Sequence, residues 1–227
     1  MDYGCSTKVV VGIRRNASST LLIPGVRTIV LALLAMGVIG GSIDVAVVAF
    51  ANAQGWPESA SFILADYALG SMIAGLTFGV LRVSLPIEKQ FFIGVLVTSV
   101  TAVLTVFSPN VYILSGMLFV VGVSFAPTMI IVMNLGTIIV PPSRITEGLT
   151  WMTTGFSIGV ALGSILAGIV VDVYGARTGF GVAIVAGLVM VVVVLLGLRT
   201  LRATSAVSPS RSSSNHPEPS RPRWQRA

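Results

Sequence analysis

The sequence predicts an all-α integral membrane protein of six transmembrane helices, and three observations carry that expectation. Hydrophobic residues make up 54% of the 227-residue chain and charged residues only 10%, with a mean hydropathy of +0.94. A soluble domain carries about 25% charged residues, so this chain has too little polar surface to cover a water-exposed globule. Six stretches are long enough to cross a bilayer core, which takes roughly 20 apolar residues in a helix. The basic residues, finally, cluster at the ends of those stretches and almost all on one side.

The spans run Thr28–Ala53, Ala60–Leu81, Phe91–Phe107, Val111–Asn134, Gly148–Val171 and Thr178–Leu198. None alternates with a period of two, as a barrel strand would. Pro57, Pro86, Pro109 and Pro141–Pro142 break the chain in four of the five connections, so the loops are short. With both termini cytoplasmic, every Lys and Arg of the fourteen except Arg177 lies inside, and the opposite orientation inverts that bias. Basic flanks around an apolar body explain the net charge of +6 as orientation rather than nucleic-acid binding. The expected organisation is a cytoplasmic N-terminal segment over 1–26, a six-helix transmembrane domain over 27–202, and a disordered basic cytoplasmic tail over 203–227. The first 24 residues hold no run apolar enough for a signal peptide, and the sequon Asn16–Ala17–Ser18 then faces the cytoplasm.

The polar groups inside the spans are the candidates for function. In the first span Asp44 follows Gly40, Gly41 and Ser42, and helical spacing with Gly37 suggests a face that approaches another helix or opens into a cavity. A carboxylate at membrane depth costs roughly 2.5–3.5 kcal/mol on insertion scales, so it should face protein or water. In the second span Asp66 shares a face with Gly70 and Ala74. Counted from the outer ends, Asp44 sits about 12 Å deep and Asp66 about 9 Å. Two readings follow: a protonatable pair or cation-attracting site, or an Asp66 that reaches the outer surface beside an Asp44 bonded to a neighbouring helix.

The third span carries no carboxylate. The fourth contains Pro127, which kinks a helix, with Ser124, Thr128 and Asn134 nearby as candidate pathway residues. In the fifth, Gly155, Gly159 and Gly163 form a small-residue ridge, and Gly75 with Gly79 forms a shorter one in the second. Both ridges are expected to pack helices, and the longer one to face a second six-helix unit. From Gly179 to Leu198 the sixth span has no polar side chain, which places it, with the third, at the lipid-facing periphery.

Several classes fall away. Cys5 alone supports neither a disulfide framework nor a cysteine zinc site, and the one histidine, His216, lies among prolines and serines. No metal site, nucleotide loop or phosphate cradle appears, so no cofactor is expected. Intramembrane aspartyl proteases share a Gly-x-Gly-Asp signature, whereas Asp44 follows Gly-Ser-Ile; a serine protease needs an intramembrane histidine base. The chain is not expected to be an enzyme. A scaffold or assembly protein stays open.

Local sequences then point to a family. Gly41-Ser42-Ile43-Asp44-Val45-Ala46, Leu69-Gly70-Ser71-Met72-Ile73-Ala74-Gly75, Phe125-Ala126-Pro127-Thr128, Thr146-Glu147-Gly148-Leu149-Thr150-Trp151 and Ala167-Gly168-Ile169-Val170-Val171-Asp172 occur in order across the spans. From about Leu22 to Arg202 the chain resembles the C-terminal six-helix half of a major facilitator superfamily transporter, nearest to bacterial drug- or sugar-efflux members. The resemblance implies a multi-pass plasma-membrane protein that exports a small organic solute in exchange for protons, an antiporter, with its first and fourth spans lining a central cavity. It also implies a partner: a second six-helix half, self or separate, because alternating access rocks one half against another. The chain then reads as a half-length or truncated transporter, or as a fragment without transport activity. Arg82, after Gly75 and Gly79, resembles a degenerate copy of the family's basic gating loop. The cavity inventory of Asp44, Asp66, Ser42, Ser124, Thr128 and Asn134 holds no basic group, which favours a neutral or cationic substrate over an anion.

Overall fold

A computed structural model describes residues 24–80, 86–140 and 142–205; the N-terminal segment, Leu81, Arg82 and the tail beyond Ser205 lie outside the described residues. Six long helices account for the body: α1 Pro24–Ala53, α2 Ser59–Val80, α3 Ile87–Leu104, α4 Val111–Ile139, α5 Ile145–Tyr174 and α6 Gly179–Ser205. All six are long and apolar enough to cross a membrane, so the expected all-α membrane bundle is the observed fold.

The helix ends differ from expectation where polar residues close a span. α4 continues past Asn134 to Ile139 because Leu135 and Gly136 on that last turn are buried, Gly136 against the side chain of Met152. α5 runs on through Asp172 to Tyr174, since a helix emerging into water needs no apolar residues there. It stops at Gly175, whose φ of +93° lies in the left-handed region that glycine adopts without strain. At the same ends of the bundle Gly55 (φ +75°) turns the α1–α2 loop and Asn110 caps α4, accepting from the Ile113 amide at 3.0 Å. Trp56 and Tyr112 meet there edge-on, with ring centroids 6.2 Å apart, in the manner of an interfacial aromatic belt. α6 extends to Ser205, three residues beyond the boundary expected at 202.

α1 is the central element. Ile29, Leu33, Met36, Ile39, Ile43, Val47 and Phe50 recur at helical spacing and are all buried. It packs chiefly on α5 and α6, α2 packs on α4, and α3 bridges α4 and α6. The sixth span has one open face, with Val185, Leu188, Val189, Val192, Leu195 and Leu196 exposed, and one face packed in the bundle. Phe180, Ala183, Met190 and Val194 of α6 are buried, and the Ser99 hydroxyl of α3 donates to the Gly187 carbonyl at 3.1 Å. A helix apolar all round carries no mark of which side meets protein. Glycines decide it here: side chains of Thr28 and Ser99 fill the space beside Gly197 and Gly187. α2 is the least covered helix, with Phe62, Leu69, Met72, Ile73, Leu76 and Val80 exposed.

Candidate functional site

Asp44 is exposed on the flank of α1, while its neighbours Ile43, Ala46 and Val47 are buried. One turn away, Gly40 opens the helix toward α4: a Cβ there would stand 3.8 Å from the Phe125 ring. Phe125 in turn meets Tyr67 of α2 edge-on, centroids 6.0 Å apart, and Tyr67 lies within electrostatic reach of Asp44. A carboxylate from α1, a phenol from α2 and an aromatic ring from α4 thus converge. Among the described residues the Asp44 carboxylate accepts no hydrogen bond and faces no cation, so its binding capacity is unspent. Tyr67 did not stand out in the sequence, and Phe125 did so only as part of the Phe125–Thr128 motif, not as a site residue; the available signal was a tyrosine well inside a span, where Tyr112 and Tyr174 mark helix ends.

The other residues singled out from sequence separate from Asp44. Asp66 accepts a hydrogen bond from the Ser115 hydroxyl of α4, so the two carboxylates are not a bonded pair. The reason is the α2–α4 contact. Gly70 abuts the Phe119 carbonyl and Gly122 the Tyr67 carbonyl, which turns Asp66 toward α4. Ser42 is buried, and its hydroxyl donates to the Ile39 carbonyl of its own helix at 2.9 Å, so it does not line an open path. Ser124 and Thr128 face α3 instead. Thr128 donates to the Ser124 carbonyl at 2.8 Å and lies 3.0 Å from the Thr98 hydroxyl. These groups border a separate cavity of about 270 Å³ between α2, α3 and α4, beside Pro127. Asn134 is exposed nine residues beyond Phe125, about 13 Å farther along α4.

The glycine ridges divide as well. Gly155, Gly159 and Gly163 are buried against Val30, Leu34 and Val38 of α1, and Gly37 and Gly41 reciprocate against α5. The long ridge is therefore filled within the chain, which corrects its assignment to a second unit, and Gly37 and Gly41, on the Asp44 side of α1, approach α5 rather than open into a cavity. Its small-residue spacing is equally suited to either partner. A Cβ at Gly75 would stand 3.7 Å from the Ala126 methyl, and one at Gly79 would meet nothing within 4 Å among the described residues. One further group is unmatched: Oε1 of Glu147, in the first turn of α5, is buried without a hydrogen-bond partner among the described residues.

With that geometry in place, the comparison with known proteins is specific at the level of the family. The family described as Major Facilitator Superfamily matches residues 17–226. No curated protein matches the chain.

Proposed function

Because the chain belongs to the major facilitator superfamily, and is on that ground a multi-pass membrane transporter of small molecules, we propose that it exports a neutral or cationic organic solute in exchange for protons, with Asp44 as the exchanging group. The observation that supports this reading is the unspent carboxylate of Asp44, held at membrane depth beside Tyr67 and Phe125. Intramembrane ionisable groups are costly and mark ion and substrate pathways. A single carboxylate that holds either a proton or a cation, never both, couples the two fluxes: release of one is the condition for binding the other. The aromatic pair supplies the apolar surface and ring faces that suit an organic cation.

A second six-helix unit completes the path in this proposal, seated on the open face of α2 around Gly75 and Gly79, since transport by rocking requires two bodies. The protein sits in the plasma membrane with cytoplasmic termini. Asp66, tied to Ser115, positions α2 against α4 rather than carrying protons. The test uses everted membrane vesicles from cells that express the full chain and report their proton gradient through a quenched acridine dye. Adding an organic cation should dequench the dye with the unmodified chain and not with Asp44→Asn. Equal dequenching by the Asn variant refutes the assignment.

A further inference from the structure

Helix α5 has two chemically different flanks. Leu162, Ile165, Leu166 and Ile169 are exposed on one. Leu166 borders an apolar cavity of about 590 Å³ that α5 shares with α1 and α6. On the opposite flank, steps of four, three, four and seven residues align Thr146, Thr150, Thr153, Ser157 and Ser164. The first four are exposed. At the upper end of this series, the Ser164 hydroxyl donates to the Gly41 carbonyl at 3.2 Å, three residues before Asp44 on α1. The series therefore begins beside the turn that carries Asp44 and descends about 27 Å to the opposite end of α5.

Three of the five hydroxyl protons on this flank are committed. Thr150 donates to the Thr146 carbonyl at 2.9 Å, Thr153 to the Leu149 carbonyl at 2.7 Å, and Ser164 to Gly41. A hydroxyl bonded in this way presents oxygen lone pairs outward and no proton. Neither α1 beyond Arg27 nor α5 carries a basic residue. The flank is thus a row of acceptors leading to a carboxylate.

We propose that this flank of α5 is the stretch of the translocation path between Asp44 and the Thr146 end of the helix, and that it carries organic cations with N–H donors, primary or secondary ammonium compounds. The proposal rests on the transport reading of Asp44 and adds the substrate class and the residues that select it. An ammonium hydrogen finds a lone pair at four successive turns from Thr146 to Ser157 and again at Ser164; a quaternary ammonium satisfies the carboxylate electrostatically but gains nothing from the hydroxyls.

The experiment titrates the full chain in lipid nanodiscs with two fluorescent probes, dansyl-pentylammonium and its N-trimethyl analogue. The double variant Thr153→Val/Ser157→Ala should weaken binding of the primary ammonium roughly tenfold and leave the trimethyl probe roughly unchanged. Thr153→Ser keeps the oxygen and should bind like the unmodified chain. Asp44→Asn should weaken both probes. Equal weakening of both probes by the double variant, or of neither, overturns the role of the flank while the Asp44 result stands. Unchanged binding of both probes in Asp44→Asn overturns the underlying transport reading, and so does the absence of saturable binding to the unmodified chain.

Discussion

Replacing Gly159 by alanine tests the contact that holds α1 to α5. A Cβ at Gly159 would land on the Leu34 carbonyl oxygen, with the Leu34 carbonyl carbon at 2.9 Å and the Gly37 Cα at 3.1 Å. Every obstacle is backbone, so no side chain can swing aside and the helices must separate. Overpacking of this kind costs about 1–3 kcal/mol. Alanine also favours a helix over glycine by ~1 kcal/mol, which partly hides the clash. Gly168→Ala removes that ambiguity: Gly168 lies on the same helix with nothing within 4 Å, so it collects the propensity gain alone. The difference between the two variants therefore reports the close approach, about 1–3 kcal/mol. At roughly 2–4 °C per kcal/mol for a chain of this size, Gly159→Ala should melt about 2–12 °C below Gly168→Ala. Intrinsic fluorescence of the full chain during heating in detergent measures it. A Gly159→Ala melting temperature equal to or above that of Gly168→Ala refutes the packing of the ridge against α1.

Three other outcomes follow from the same geometry. With Cys5 replaced, a cysteine at Ser59 or Asn110 should react with an impermeant reagent from outside the cell and one at Ser143 should not; the reverse pattern contradicts cytoplasmic termini. Thr98→Val removes the hydroxyl 3.0 Å from Thr128 and should cost ~1 kcal/mol of stability with no change in transport, because the pair bridges α3 to α4 away from Asp44. Gly79→Leu should leave the melting temperature of the chain in detergent near that of the parent, since nothing lies within 4 Å, yet abolish crosslinking of α2 to a second unit; persistent crosslinking excludes that face as the contact.

The bundle was legible because lipid imposes a length: six apolar runs of the required size became six helices. Their ends were less legible. Asn134 and Asp172 look like exits from the membrane, but a helix stops at a cap or a glycine such as Gly175, not at the first polar residue. Asp44 could be picked out by its cost alone. Its neighbours could not, because which residues of α2 and α4 meet α1 depends on the interlock of Gly70 and Gly122. Ser42, Ser124 and Thr128 illustrate a second limit. A hydroxyl that donates to its own helix is content in the core or against a neighbour, so its presence in a span gives no direction. Regular spacing was more informative than residue type, yet the series of hydroxyls at helical spacing on α5 is hidden in the sequence by the glycines interspersed with them.

The most direct measurement concerns the proton at Asp44. The full chain in weakly buffered detergent solution, with a pH indicator present, is mixed with a primary organic ammonium compound. If Asp44 exchanges a proton for the cation, the indicator should register proton release that saturates with binding, and Asp44→Asn should release none while Asp66→Asn still does. Proton release of the same size from the Asp44→Asn variant, or its loss in Asp66→Asn alone, would contradict the account.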